Sequence, residues 1–249
     1  MGKYITLIAV VVIVLIAAGA VYYYLKPEPE ETATVTSQEP TDGEGFQQEE
    51  IEPIEVELNK SDELVRKLVK ELSSRPEVAR WLLTDNLIRR FVAAVDLIAN
   101  GDSPRIPIEF IELKGDFKVG KAEGQEFMDP KSYQRYEGIA QIFASLDTEG
   151  IVTLYKRLRL PIQEAYRELG YPEGDFDSTL KKAIVSLLET PIVESRIYLD
   201  KDVLTYTMEN PELEDLTPAQ KHLLRMGPDN IRMIQTKLED IALRLGFLN

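Results

Sequence analysis

Three carboxylates in one stretch of the chain could carry out acid–base chemistry. Glu164 and Glu168 are four residues apart, which places them one turn apart on a helix, and Asp175 follows in the loop beyond. Glycan-cleaving enzymes use such a pair of carboxyl groups as general acid and as base or nucleophile. The same spacing is common on helix surfaces, where glutamates pair with nearby lysines or arginines. We therefore favour a structural role and keep catalysis by these three residues as the alternative.

A second group of charged side chains lies inside apolar sequence. Arg89 and Arg90 are adjacent within an otherwise apolar stretch that leads to Asp96. In a helix with apolar residues on both flanks, at least one of these arginines must find a carboxylate or carbonyl partner. Asp96, Asp85 and Glu137 are the candidates. We expect one arginine of the pair to be buried and paired.

Two further stretches place polar groups at predicted helix ends. Tyr166 and Tyr171 lie on either side of a predicted helix end, and Arg225 lies at a predicted junction between helices. Together with the arginine pair and its acidic neighbour, they predict a buried ion-pair network. A partner-binding face is the alternative interpretation of the same residues.

Composition excludes several kinds of site. The chain has no cysteine, which excludes disulfides, thiolate metal sites and cysteine nucleophiles. His222 is its only histidine, which excludes zinc sites that need several. Gly115–Ala122 is close to a phosphate-binding loop, but Ala122 supplies no hydroxyl for magnesium, so a β-turn is favoured. We predict no cofactor and no resident metal.

The formal net charge of −14 is concentrated near the N-terminus. Met1–Lys26 carries +2, and Pro27–Asn59 contains eleven acidic residues and no basic ones, which leaves −5 for the residues from Lys60 onward. In that remainder acids and bases are interspersed, so it offers no basic face for a phosphate backbone. Nucleic acid is therefore not an expected partner.

The first residues predict a membrane anchor. Tyr4–Leu25 contains 22 residues without a charge, and as a helix it would extend about 33 Å, enough to cross a hydrocarbon core of about 30 Å. Tyr22–Tyr24 and Lys26 are typical of the headgroup layer. We predict one transmembrane helix in the lipid bilayer, with the N-terminus in the cytoplasm. A cleaved signal peptide, with Ala18 and Ala20 before the cleavage site, is the alternative.

These patterns divide the chain into three parts. Residues 1–26 are predicted to be the transmembrane anchor, 27–59 an acidic disordered tether, and 60–249 a helical extracytoplasmic domain. The fold class is mainly α: a multi-helix globular domain with a minor β-ribbon, preceded by one transmembrane helix.

Apolar spacing, prolines and glycines divide the domain further. Ile54 and Val56 alternate with acidic residues, so the last residues of the tether are expected to dock as a short strand or an extended arm. Pro161 is expected to kink or divide a long helix. Helices are predicted at about 61–72, from 76, at 85–99, 129–146, 148–170, 178–189 and 217–227, and from 228 onward, with short strands within 106–110 and 117–128 and an extended segment at 195–208.

Three sequence stretches carry a resemblance to a known family. They are LIRRFVAAVD, EAYRELGYP and KHLLRMGP, which begin at Leu87, Glu164 and Lys221. In order and spacing they resemble an uncharacterised family of bacterial membrane-anchored proteins, over about Ile54–Asn249. The resemblance implies a bacterial source and an inner-membrane location, but no activity, cofactor or functional residue. The acidic tether departs from the proline- and alanine-rich one expected, which alters its reach.

The sequence therefore predicts a non-enzymatic function. We expect an envelope interaction or scaffold module that binds a protein partner, or itself, near the membrane. Its location would be the bacterial inner membrane, with a single span and the domain in the periplasm. The alternative is a carboxylate-based enzyme that acts on cell-wall glycan.

Overall fold

The computed structural model describes residues 51–72, 75–111, 113, 115–202 and 205–248. The described part is mainly helical with one small antiparallel sheet, which confirms the predicted class of the domain. Its elements, in chain order, are α1 (Ser61–Leu72), α2 (Pro76–Trp81), α3 (Leu87–Ala99), β1 (Val119–Ala122), β2 (Gln125–Met128), α4 (Gln134–Ala144), α5 (Thr148–Arg157), α6 (Arg159–Glu168), α7 (Phe176–Leu188), β3 (Tyr198–Lys201), β4 (Tyr206–Met208), α8 (Pro211–Glu214), α9 (Pro218–Leu224) and α10 (Pro228–Arg244).

The predicted membrane anchor, residues 1–26, lies outside the described residues, as does the predicted tether up to residue 50. Among the helices of the described part, none is long and apolar enough to cross a membrane.

An extended arm, residues 51–57, precedes a 3-10 turn at Leu58–Lys60. The N–H of Ile54 donates to the carbonyl oxygen of Arg157 at 2.8 Å, and Leu58 is buried against the core. The end of the tether therefore docks as predicted, and of the two expected conformations it is the extended arm, not a strand, that is observed.

The break between α5 and α6 explains why that carbonyl is free. Pro161 has no N–H, so it cannot donate to Arg157, four residues earlier, as helix geometry would require. The turn opens at Leu158, and Arg157 instead accepts from Ile54. The expected division of the helix at the proline is confirmed, and the freed carbonyl holds the arm.

Helix α3 lies at the centre of the core. It packs against α1, α6 and α7, and Phe91, Val92 and Val95 are fully buried. Its N-terminus is capped from outside: Asp62 on α1 accepts the N–H groups of Asn86 at 2.7 Å and Leu87 at 2.9 Å. This carboxylate satisfies donors that have no partner inside the helix.

Helix α10 is the second helix around which the core is built, and it packs against α4, α5 and α7. Ile231, Ile234, Leu238 and Ile241 recur on its inner face and are buried, as the spacing predicts. The Lys237 ammonium closes the contact with α5, since it donates to the carbonyl oxygen of Leu146 and the hydroxyl of Thr148.

The four strands form one antiparallel sheet in the order β1-β2-β3-β4. The sequence predicted a ribbon at 117–128 and a separate extended segment at 195–208; the structure joins them through pairing of Phe127 with Tyr198. The prediction of a strand at 106–110 is wrong, because that segment forms turns. Pro104 and Pro107 supply no N–H for a ladder, so its alternating apolar residues do not extend the sheet.

A capping box and a glycine control the junction between α9 and α10. Thr217 and Gln220 exchange side chain–backbone hydrogen bonds at the start of α9 and form a capping box. Gly227 has φ +86°, and a Cβ added there would lie 2.4 Å from Cγ of Tyr133. Asn230 fixes the same corner by donating to the carbonyl oxygens of Tyr133 and Met226.

We predict that Gly227→Ala lowers the free energy of unfolding by about 3 kcal/mol, because it adds a clash to left-handed backbone strain. The matched control is Gly246→Ala: Gly246 has φ +73°, but a Cβ added there would meet no atom within 4 Å, so strain alone should cost about 1 kcal/mol. Urea unfolding measures both. Equal losses in the two variants would contradict the packing of Tyr133 on Gly227.

Candidate functional site

Neither of the two grooves found in the described residues is lined by any of the three candidate carboxylates. Glu164 is exposed on α6, and Glu168 accepts two hydrogen bonds from Arg89, from Nε at 2.5 Å and Nη2 at 2.9 Å. Asp175 caps α7 by accepting from the N–H and hydroxyl of Ser178. The Arg89 hydrogen bond lowers the pKa of Glu168, which is opposite to what a general acid requires. Two of the three therefore have structural partners.

Arg89 ties three parts of the chain together. Besides Glu168 on α6, its guanidinium donates to Oδ1 of Asn59 at 2.8 Å, at the end of the arm. A longer contact of 3.4 Å reaches Asn86 before α3. The side chain is 29 % exposed, so Arg89 is paired but not buried.

Arg90 is likewise half-buried and bonded mainly to backbone. It donates to the carbonyl oxygens of Asp85 at 3.1 Å and Pro107 at 3.0 Å, and its guanidinium lies 5.6 Å from the ring centroid of Phe110. A carboxylate oxygen of Glu109 is 3.8 Å away. Both arginines are paired, as expected, but the expectation that one of them is buried is wrong, because each side chain is 29 % exposed and reaches partners outside α3.

Asp96 pairs with neither arginine. Its carboxylate accepts from Asn100 at 3.2 Å and from Tyr171, and partial burial raises its pKa. The ring of Tyr171 stacks on Tyr166 at 4.8 Å, and the Tyr166 hydroxyl is 2.7 Å from that of Thr179. The family-like stretches that begin at Leu87 and Glu164 thus meet in one cluster. Arg89 of the first stretch contacts Glu168 of the second, and Asp96 of the first contacts Tyr171 of the second.

Arg225 belongs to a different cluster at the third stretch. Burial lowers the pKa of Arg225, and its charge acts on Tyr136 and His222. Nδ1 of His222 is 2.9 Å from the hydroxyl of Ser103. Burial, with the charges of Arg225 and Arg105, lowers the pKa of His222 to about 4, so the imidazole is neutral at pH 7.

Arg135 adds a second buried cation that the sequence analysis did not identify. Its three guanidinium nitrogens are inaccessible to solvent and make no hydrogen bond to any residue that the structure describes. The guanidinium lies 5.6 Å from the ring centroid of Tyr136, and burial lowers the pKa of Arg135. The predicted single network is therefore two clusters: an ion-paired one around Arg89 and an electropositive one around Arg225.

A groove of about 430 Å³ lies beside the second cluster. Its walls come from four places: the end of β2, the start of α4, the segment before β3 and the α9–α10 junction. Its apolar lining consists of Met128, Pro130, Tyr133, Val193, Met226, Pro228 and Met233. A second groove of about 570 Å³ along α10 shares Asp229 and Met233 with it, so the two depressions meet at Met233.

The rim of the groove is polar. Gln134, Glu137, Glu194, Arg196 and Asp229 line it. Arg232, on α10, forms ion pairs with the carboxylates of Glu194 and Asp229, so two of the three acidic residues in the lining are already paired. In the described residues, no group of three histidine or acidic side chains is arranged to hold a metal ion.

No pattern in the sequence predicted this groove, and Met226–Pro228 was interpreted only as a helix junction. Three of the chain's five methionines line it, but Met128 and Met226 are 1 % exposed, so Met233 is the accessible one among them. Methionine is over-represented at binding surfaces, so Met233 was the available signal. The groove itself depends on contacts between distant segments, which spacing does not reveal.

Fold and site together define a mainly helical domain with a small antiparallel sheet and an apolar, methionine-lined groove. The chain belongs to a family of proteins of unknown function, DUF3014, whose model matches residues 87–242. The match begins at α3 and ends near the end of α10, and it contains all three stretches that carried the resemblance. Searches of curated proteins and of solved structures found no significant match.

We predict a coupling free energy of about 1 kcal/mol between Arg89 and Glu168, since the pair is bidentate but partly exposed. A double-mutant cycle with Arg89→Met and Glu168→Gln measures it by urea unfolding. Because the folded pKa of Glu168 is lowered, the coupling should be complete above about pH 4.5 and be lost as pH falls through that lower pKa. A cycle on Arg90 and Glu109 is the control and should give less. Zero coupling at pH 7 would show that the ion pair between Arg89 and Glu168 does not stabilise the fold.

The pKa of His222 predicts a pH dependence of stability. In the unfolded chain the imidazole gains a proton near pH 6.5, while in the folded protein it stays neutral until about pH 4. Stability is therefore lost as pH falls through this interval, by about 2 kcal/mol between pH 7 and pH 5. His222→Gln should remove this part of the slope. An unchanged slope in the variant would show that His222 is accessible in the folded state.

Proposed function

We propose that the protein is a non-enzymatic interaction module, held at the bacterial inner membrane by residues 4–25, that receives a protein partner in the methionine-lined groove. The groove is the observation that carries the proposal. An apolar floor within a polar rim is the usual anatomy of a protein-binding patch, and the volume lies in the ordinary range for binding sites. Met233, the accessible methionine of the lining, adapts to an incoming surface at low cost.

The location rests on the sequence. The uncharged stretch Tyr4–Leu25 is long enough to span a bilayer, and the acidic stretch Pro27–Asn59 separates it from the helical domain. With the N-terminus in the cytoplasm, the domain lies in the periplasm. Like-charge repulsion lengthens the acidic stretch, and anionic lipid repels it, so the groove is presented away from the headgroups.

The roles of the carboxylates favour binding over glycan cleavage. Glu168 is committed to Arg89 and Asp175 to the start of α7, so both carboxylates already have structural partners. The interaction proposal assigns a role to the apolar groove. The enzyme alternative does not, because its three candidate carboxylates lie outside the groove lining.

We predict that a photo-crosslinking amino acid at Gln134, on the groove rim, captures a defined partner in intact cells. The same amino acid at Glu239, exposed on α10 and outside the groove lining, is the matched control and should not capture it. Met233→Glu should remove at least nine-tenths of the Gln134 crosslink, because a partner's apolar group would then desolvate a charge. Immunoblots of the membrane fraction measure the yield.

Two further arms test the membrane part of the proposal. Removing residues 1–26 should release the protein from the membrane fraction and abolish the crosslink. Deleting Thr32–Gln48 should also abolish it, because a linker that cannot span the gap reduces the effective concentration to near zero, while scrambling that segment should leave it intact. Equal capture from Gln134 and Glu239, or capture that survives Met233→Glu, would refute the groove as the binding site.

A further inference from the structure

Four polar side chains meet where the loop after α3 runs beside α9. The hydroxyl of Ser103 lies 2.9 Å from Nδ1 of His222. Arg105 follows in the same loop, and Arg225 lies three residues after His222, on the same side of the helix. The charges of both arginines act on the imidazole. We refer to Ser103, Arg105, His222 and Arg225 as the α9 cluster.

The α9 cluster is positively charged and contains no carboxylate. Burial and the two arginines lower the pKa of His222, and no acidic side chain of the described residues offsets them. The acid that acts on Arg225 is Glu214, which already accepts from Nζ of Lys221 at 2.8 Å and from the N–H of Met208 at 2.8 Å. A chain with a net charge of −14 therefore carries a local excess of positive charge at this point.

The guanidinium of Arg225 has no bonding partner among the described residues. It forms no hydrogen bond and no ion pair there, although burial lowers its pKa. The donors of a guanidinium that is partly removed from water usually bond to a carboxylate, a phosphate or a carbonyl group. Arg89 and Arg90 are also partly exposed, and both have such partners. The missing partner of Arg225 is the observation that indicates a ligand.

We propose that the α9 cluster binds an oxyanion, a phosphate or carboxylate group, between the guanidinium of Arg225 and the imidazole of His222. The planar guanidinium offers two parallel N–H donors, which is the geometry that two oxygens of such a group match. Arg105 adds charge, and the hydroxyl of Ser103 supplies a further donor. Arg105 is exposed and the other three residues are partly exposed, so the cluster opens to solvent. None of the four lines the methionine-lined groove, so the site does not depend on the proposed function.

His222 reports binding directly, because it is the only histidine and gives a single imidazole signal by NMR. The full chain, with isotope-labelled histidine and in nanodiscs of zwitterionic lipid, is titrated with sulfate and separately with chloride at equal ionic strength. Sulfate is the probe because its charge is constant over the pH range used. We expect a saturable shift of the imidazole signal with a Kd in the millimolar range. An equal shift in chloride would reflect ionic screening alone and would overturn the proposal.

The pKa of His222 provides a second measurement. A bound anion favours the charged imidazole, so saturating sulfate should raise the pKa of His222 above its value of about 4. By linkage, sulfate should also bind more tightly as pH falls toward that raised pKa. An unchanged pKa at saturating sulfate would place the anion away from the imidazole and contradict the site.

Variants test which side chains hold the anion. Arg225→Met should weaken sulfate binding at least tenfold, because it removes the paired donors and the charge. Arg105→Met, on an exposed residue, should weaken it at least twofold and serves as the test if Arg225→Met does not fold. The matched control is Arg167→Met, which removes an exposed arginine of α6 and should leave the Kd within twofold of the parent. Unchanged binding in Arg225→Met or Arg105→Met would overturn the proposal.

The lipid composition distinguishes two sources of the oxyanion. If nanodiscs of an anionic phospholipid move the His222 signal to its sulfate-bound position without added salt, the result supports the site with a lipid headgroup as its ligand. If the signal moves only when inorganic phosphate is added, the result supports a soluble oxyanion. If neither the anionic lipid nor inorganic phosphate moves the signal, the proposal fails.

Discussion

The need to keep water away from α3 governs the arrangement of the domain. Eight of its thirteen residues are buried, so the helix is apolar around most of its circumference and must be enclosed by other elements. Helices α1, α6 and α7 do this. Only Arg89, Arg90 and Asp96 interrupt the apolar surface. Each is bonded to chain outside the helix, so the polar residues of α3 fix the arm, the turns and the end of α6 around it.

Local signals in the sequence predicted most helices, since caps and prolines act within a few residues. The helix break before Pro161 is an example. The prediction of a strand at 106–110 was wrong because it relied on the alternating apolar residues and gave too little weight to Pro104 and Pro107. The joined sheet and the partner of Arg89 could not be predicted, since each depends on residues more than 65 apart in sequence, as the separation of 79 between Arg89 and Glu168 illustrates.

The groove combines a firm floor with adaptable walls. Tyr133 packs against Gly227 with no room for a side chain, and Asn230 bonds the backbone on both sides of that contact. Met233, by contrast, is half-buried, and its side chain is unbranched and flexible. A site of this kind holds its position while part of its lining changes shape. The family-like stretch that ends in Met226–Pro228 contributes to the rigidity of the corner, because Met226 is buried.

The carbonyl that Pro161 leaves free has a mechanical consequence. Because the arm is attached at Ile54 to the carbonyl of Arg157, a pull on the preceding chain is first felt at the break between α5 and α6, and not at α1. Behind that bond, Leu58 is buried and Asn59 is held by Arg89. Force would therefore detach the arm in steps, one backbone bond followed by an apolar anchor and a polar clamp, before it loaded the core helices. The arm would therefore extend under tension before the core helices or the groove are disturbed.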